Sequence, residues 1–155
     1  MNHRILVVDD SAGMRTMLRV VLERWGHDVL CAGNGIEALE ILDRERCRVV
    51  ISDVNMDRMN GIDLLDRIKE RYPECAVIML TGEERETVAP SLLSKGAHCV
   101  IRKTDFYYEL LSALKQLFQR DNDTSIREPL SNYSIRFWSA DEMVRQSLIL
   151  DEEHP

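Results

Sequence analysis

No stretch of this 155-residue chain approaches the roughly 20 consecutive apolar residues that would cross a bilayer, so no membrane span is expected. The first residues, Met1-Asn2-His3-Arg4, run straight into a short strand-like segment with no secretory apolar core, and a cytoplasmic protein is expected. Positive charge is in deficit: 20 Lys and Arg stand against 27 Asp and Glu, a net of −7 with histidine neutral. A general nucleic-acid binder needs the opposite balance to neutralise phosphates, so none is expected here. Cysteine is sparse and unpatterned. Cys31, Cys47, Cys75 and Cys99 form no C-x-x-C pair and have no histidine at ligand spacing, which argues against zinc and for buried thiols in a reducing compartment. The histidines, His3, His27, His98 and His154, are scattered without a paired base or nucleophile, so surface or turn roles are expected of them.

What the chain does have is 45% apolar residues, enough for one domain with a real core, in a repeating order. Short apolar runs alternate with segments whose apolar residues recur at helical spacing, the pattern of successive βα units around a parallel sheet. The strands read as Ile5 to Val8, Asp28 to Ala32, Val49 to Ser52, Ala76 to Leu80 and Cys99 to Arg102. The helices read as Ser11, an N-cap, to about Trp25; Ile36 to Glu45; Ile62 to Arg71; Glu84 to Lys95; and about Phe106 to Gln119. Gly26 ends the first helix, and Tyr72-Pro73 stops the third. Pro90 is expected to kink the fourth or shift its start. Met14 and Met17 are core by spacing, while Met56 and Met59 are placed beneath the loop after the third strand. The fold class is therefore α/β, a doubly wound five-stranded parallel sheet, (βα)5, over residues 1–120.

Asp9, Asp10, Asp53, Thr81 and Lys103 all fall at or just past the C-terminal ends of different strands. In an open parallel sheet those ends share one edge, which is where ligands bind. Three clustered carboxylates repel one another unless a cation joins them, and Mg²⁺ is the hard divalent ion suited to oxygen ligands. A carboxylate beside Mg²⁺ is a nucleophile toward a phosphoryl group, and Asp53 is the central candidate. Lys103 then neutralises, and Thr81 hydrogen-bonds, oxygens of the transferred group. Taken singly, each residue has an ordinary structural explanation as a helix-start acid, a turn residue or a solvated charge. Their joint occurrence at four strand ends favours function.

The ordered set "ILVVDDS", "VVISDVNMDRMNGIDLL", "VIMLTG" and "GAHCVIRK" resembles the receiver domains of two-component response regulators over about residues 3–120. That resemblance implies a flavodoxin-like strand order 2-1-3-4-5, with Asp53 as phosphoacceptor and Asp10 as direct Mg²⁺ ligand. It makes Asp9 a ligand through water or an electrostatic partner, and the backbone carbonyl of Asn55 a further ligand. Thr81 becomes the switch hydroxyl, Lys103 the phosphate partner, and the side chains of Asn55 and Glu83 tune hydrolysis of the acyl phosphate. The upstream partner implied is a histidine kinase or histidine phosphotransfer protein. Three positions depart from the family pattern. Thr104 stands where proline usually follows the lysine, Val100 where an aromatic switch residue is common, and Asp57 where the loop often has proline. The first leaves open that Lys103 is aimed differently.

Phosphorylation adds a charge of about −1.5 to −2, and a shift of Thr81 toward it moves the surface of the fourth helix, fifth strand and fifth helix, where a downstream protein target is expected. The protein is then a monomer or a phosphorylation-dependent dimer, without a DNA-binding domain in this chain and without turnover of external substrates. Two other classes compete. A haloacid-dehalogenase-type phosphatase uses the same chemistry but carries an acid two residues after its nucleophile, where this chain has Asn55. A constitutive receiver-like scaffold is the other. Residues 121–155 form an acidic C-terminal extension with eight Asp and Glu against three Arg, a net of 3 − 8 = −5. It reads either as a disordered or loosely docked segment, or as a short strand (Tyr133 to Trp138) and helix (to about Leu150) packing on the receiver or on another chain.

Overall fold

In the computed structural model, the described residues are 4–82, 85–104 and 106–119. Expectations for Glu83 and for residues 121–155 lie outside them. The elements alternate strictly: β1 (Arg4–Val8), α1 (Ala12–Arg24), β2 (Asp28–Ala32), α2 (Gly35–Arg44), β3 (Val49–Asp53), α3 (Gly61–Arg71), β4 (Ala76–Thr81), α4 (Arg85–Ser94), β5 (Cys99–Arg102) and α5 (Phe106–Gln119). All strand pairs are parallel and the order is β2-β1-β3-β4-β5, so the direction in which successive strands are added across the sheet reverses between β1 and β3. The central strand β3 is buried along its whole length: the apolar run Val49–Ile51 suits a strand covered on both faces, and Ser52 and Asp53 are buried at its C-terminal end.

Two apolar layers flank the sheet. On one side α1 and α5 close over Ile5, Val7, Val49 and Ile51 with Leu18, Leu22, Leu110 and Phe118. On the other, α2 and α3 pack Leu39, Leu64, Leu65 and Ile68 against Leu6, Val50, Val77 and Met79. Alternate residues of one strand serve opposite layers because the side-chain period of a strand is two. The helix starts are fixed locally. Ser11, Asn34 and Asn60 each sit in extended backbone and accept from the N–H three residues on, of Met14, Glu37 and Asp63.

Sequence and structure part at a few points. Pro90 lies inside α4 and does not move its start, which is Arg85. That helix has little amphipathic character, and Leu92 alone among its described side chains is buried. Charge ties supplement its packing: Arg102 Nη2 donates to Glu86 and Arg85 Nη1 donates to Glu109, reaching β5 and α5. His27 is no surface residue. It is 5% exposed, and its ring lies 5.0 Å from that of Phe118, because the turn before β2 passes under the end of α5. Met14 is half-buried rather than core. Among the described residues no helix is long and apolar enough to cross a membrane.

The four cysteines are all free thiols, with Cys47 and Cys75 buried and Cys31 and Cys99 half-buried. Burial pushes the thiols of Cys47 and Cys99 up to about 11 and that of Cys75 up to about 12. Only the thiolate is alkylated, so at pH 8 these three react more than about a hundredfold slower than a free cysteine of pKa ~8.5. Mass-resolved iodoacetamide labelling checks this: the three sites stay unmodified in the native protein and label fully in guanidinium. Rapid native labelling of Cys75 contradicts it.

Candidate functional site

The C-terminal edge of the sheet gathers the sequence-predicted residues. Carboxylate oxygens of Asp9, Asp10 and Asp53 lie within 4.8 Å of one another. Asp9 and Asp53 are 1% and 5% exposed, whereas Asp10 faces solvent. Lys103 Nζ bridges the two buried acids, at 3.1 Å from Asp9 Oδ2 and 3.0 Å from Asp53 Oδ2. Thr81, 1% exposed, ends β4 one residue past Leu80, the register partner of Asp53, and its carbonyl accepts from the Lys103 N–H at 2.9 Å. The described residues contain no cis peptide, so Lys103-Thr104 is trans, and Lys103 still reaches both acids. The departure from proline at Thr104 does not turn it away.

Asp9 is held at every polar group. Its N–H donates to the Ala32 carbonyl at 3.1 Å, its carbonyl accepts from Arg15 Nη1 at 2.7 Å, Oδ1 accepts from the Ser11 N–H at 2.9 Å, and Oδ2 faces Lys103. These bonds make burial of a carboxylate tolerable. Ser11 thus serves twice, as N-cap of α1 and as a backbone donor to the site. The role of Arg15 escaped sequence reasoning. Its signal was an arginine between Met14 and Met17 on the inward side of α1, where a purely solvated charge has no reason to stand.

Asp53 is anchored more loosely, by Lys103 and by the Asn55 N–H at 3.3 Å from Oδ1. Burial raises its carboxyl above the usual value, and the nearby Asp9 charge adds to this, against the lowering effects of Lys103 and Asn55. Lys103 is desolvated too, yet its bonds to Asp53 and Asp9 carry its ammonium above the ordinary lysine range. The loop that follows is under backbone strain. Arg58 and Met59 adopt φ of 52° and 67°, a left-handed conformation costing about 1 kcal/mol or more per non-glycine residue. Met59 holds its place by packing over Gly35, where a Cβ would come within 2.9 Å of it. Gly61 closes the loop with its N–H on the Val54 carbonyl at 2.9 Å, and a Cβ there would overlap the Asp53 carbonyl oxygen. The sequence motif contained Gly61, but its steric duty toward Asp53 appears only in three dimensions.

The donor set consists of carboxylate oxygens, with neither imidazole nor thiolate in the cluster, and one of them opens to solvent. That chemistry fits a hard cation that keeps waters, as Mg²⁺ does, and not zinc.

Fold and edge together define the class: residues 5–126 match the response regulator receiver domain, and the chain belongs to that family. It is a receiver domain of a two-component response regulator, similar to the chemotaxis proteins. A chemotaxis protein CheY homolog of Campylobacter jejuni is 38% identical over 104 residues, which are 64% of this chain and 80% of that protein. A receiver domain protein of Clostridium thermocellum superposes with a TM-score of 0.71 at 31% identity, covering 77% of this chain and 96% of that one. The response regulator TrrA of Thermotoga maritima, solved in complex with Mg²⁺-BeF, gives 0.69 at 30% identity over 76% of this chain and 99% of that one. The matching family is the response regulator receiver domain and not a haloacid-dehalogenase-type phosphatase, so the phosphatase alternative loses its basis.

Two outcomes follow for the metal-free protein. A folded pKa raised above 3.8 means that ionised Asp53 costs stability, a cost absent below the unfolded value and present in full once pH exceeds the folded one. Asp53→Asn therefore raises the melting temperature in EDTA at pH 7 by a few degrees, and the gain shrinks as pH falls toward 4. A lower melting temperature at pH 7 contradicts this. Gly61→Ala, by contrast, forces backbone to move and costs about 2–4 kcal/mol in urea unfolding, where an exposed glycine in a helix gains about 1 kcal/mol from the same change.

Proposed function

We propose that this receiver takes a phosphoryl group from phosphohistidine of a histidine kinase or histidine phosphotransfer protein onto Asp53, and signals by phosphorylation-dependent protein contacts. The observation that carries this is the ammonium of Lys103 seated between the carboxylates of Asp53 and Asp9 at 3.0 and 3.1 Å, with Asp10 beside them. Asp9, Asp10, Asp53 and the backbone carbonyl of Asn55 would hold Mg²⁺. When bound, the ion neutralises the acids and the charge on the transferred oxygens.

An Asp53 carboxylate oxygen attacks phosphorus as the bond to the donor imidazole breaks; the proton already carried by the other ring nitrogen of that phosphohistidine leaves a neutral histidine on the donor and an aspartyl phosphate on the protein. Lys103 moves its hydrogen bond from the Asp53 carboxylate to a phosphoryl oxygen, so its charge stays matched throughout. The Thr81 hydroxyl donates to another oxygen and draws the loop after β4 with it. α4 starts just beyond that loop, with Leu92 buried, Val88 and Ala89 half-buried against the same layer and two charge ties outside, so a movement of the loop reaches this helix first. The face made by α4, β5 and α5 is the target surface on this reading, whether the phosphorylated protein acts as a monomer or dimerises. Val100, buried in β5, fills the place of an aromatic switch. Receiver function belongs to residues 1–120 and 121–155 form an appendage, with nucleic acid and membrane playing no part. Four free thiols suit the cytoplasm.

Incubation with acetyl phosphate and Mg²⁺ tests the chemistry by intact mass. The native chain gains one phosphoryl group, Asp53→Asn gains none, and Lys103→Met gains it at least about tenfold more slowly, since a buried charge-assisted bond of about 1.5–3 kcal/mol is lost. A gain that survives Asp53→Asn overturns the assignment.

A further inference from the structure

Asp10 stands apart from the other two acids of the cluster. Asp9 and Asp53 are gripped through their carboxylates, whereas Asp10 faces solvent and, among the described residues, nothing hydrogen-bonds its carboxylate. Where that carboxylate points is therefore set by the backbone that carries it, through the two planar peptide groups that flank its Cα. The one that follows presents the Ser11 N–H, bonded by Asp9 Oδ1 at 2.9 Å, an atom of the acidic cluster itself. The one that precedes presents the Asp9 carbonyl, to which Arg15 Nη1 donates at 2.7 Å from the start of α1. Arg15 thus steadies the Asp10 backbone from outside the cluster.

Charge alone gives no reason for an arginine here. A guanidinium near three carboxylates that are to share a divalent cation repels that cation. Glu37 moderates the repulsion: the Cβ position of Gly33 lies 3.5 Å from Glu37 Oε2 and 3.6 Å from Arg15 Nη1, and Oε2 is held there by the Gly33 N–H at 3.0 Å. What Arg15 contributes is a strong, charge-assisted bond to one backbone oxygen.

We infer that Arg15 is a positioning residue for the metal. By holding the Asp9 carbonyl it fixes the plane of the Asp9-Asp10 peptide and so aims the Asp10 carboxylate at the point it shares with those of Asp9 and Asp53. The inference rests on the reading that these acids hold Mg²⁺, and it adds to that reading a residue outside the ligand set. Groups that orient a metal's ligands contribute about 10- to 100-fold in affinity. Position and charge predict opposite signs for the loss of this side chain. Removing the bond lets the peptide rotate and weakens Mg²⁺ binding, whereas removing the positive charge alone strengthens it.

Titration of Mg²⁺ into the full-length protein, followed by amide NMR shifts at constant pH and ionic strength, reads that sign without any phosphoryl transfer. Arg15→Met binds Mg²⁺ at least about tenfold more weakly than the native chain. Arg15→Lys, which keeps a charged donor on a long stem, binds measurably more tightly than Arg15→Met, and Arg19→Met keeps the native affinity. Arg19 lies one helical turn on, carries the same charge and bonds Glu23, so it controls for charge and for the stability of α1. A dispersed spectrum shows each variant folded; should Arg15→Met fail to fold, Arg15→Gln, whose shorter amide does not reach the carbonyl, takes its place with the same expected loss. Affinity equal to or above the native value in Arg15→Met overturns the inference, as does equal weakening in Arg19→Met or in Arg15→Lys. A native chain that binds no Mg²⁺ overturns the metal reading along with it, whereas native binding untouched by Arg15→Met overturns the inference alone.

Discussion

Three carboxylates within 4.8 Å, two of them buried, constitute a charge that the fold must hold against its own repulsion. Within that cluster the neutralising contact is Lys103, paired with Asp9 and Asp53. Strand order follows the same demand. β1 and β3 are adjacent, which puts Asp9 and Asp53 side by side, and β4 and β5 follow in sequence, which brings Thr81 and Lys103 to them. A sheet that separated β1, β3, β4 and β5 from one another would scatter these residues along its edge.

Rigidity is distributed unequally around that charge. Asp9 is bonded through backbone and side chain alike, and its neighbours Ser11 and Arg15 belong to the start of α1. Asp53 has fewer anchors and is followed by the strained Arg58-Met59 pair, whose position depends on packing over Gly35 and on Gly61. Farther out, α4 is joined to the domain by Leu92, with Val88 and Ala89 half-buried against the same layer, and by surface ion pairs of a kind that is individually weak. Stability thus falls from the fixed acid, through the reactive one, to the helix beyond the switch hydroxyl. That gradient suits a site whose change in charge has to be felt at a distance without unfolding the core.

Much of this was written in the chain. The bounds of β2, β5 and α5 match the expectation to the residue, because turn residues bracket Asp28 and Cys99 and a continuous amphipathic stripe marks Phe106–Gln119. The convergence of Asp9, Asp10, Asp53, Thr81 and Lys103 needed only the rule that parallel strands end on one edge. Other features were illegible because they depend on contacts distant in sequence. Burial of His27 requires knowing that Phe118 arrives against it. The duty of Gly61 is a clearance from the Asp53 carbonyl, and Arg15 acts on a backbone oxygen, a partner that side-chain patterns do not reveal.

Magnesium titration followed by thermal unfolding tests the central claim, that clustered acids at this edge are resolved by a divalent cation. A ligand that binds only the folded state stabilises it by RT ln(1 + [L]/Kd), so the melting temperature of the native chain should climb steadily with Mg²⁺ and the climb should vanish in Asp10→Ala. A melting temperature indifferent to millimolar Mg²⁺, or one that rises equally in Asp10→Ala, would contradict the account.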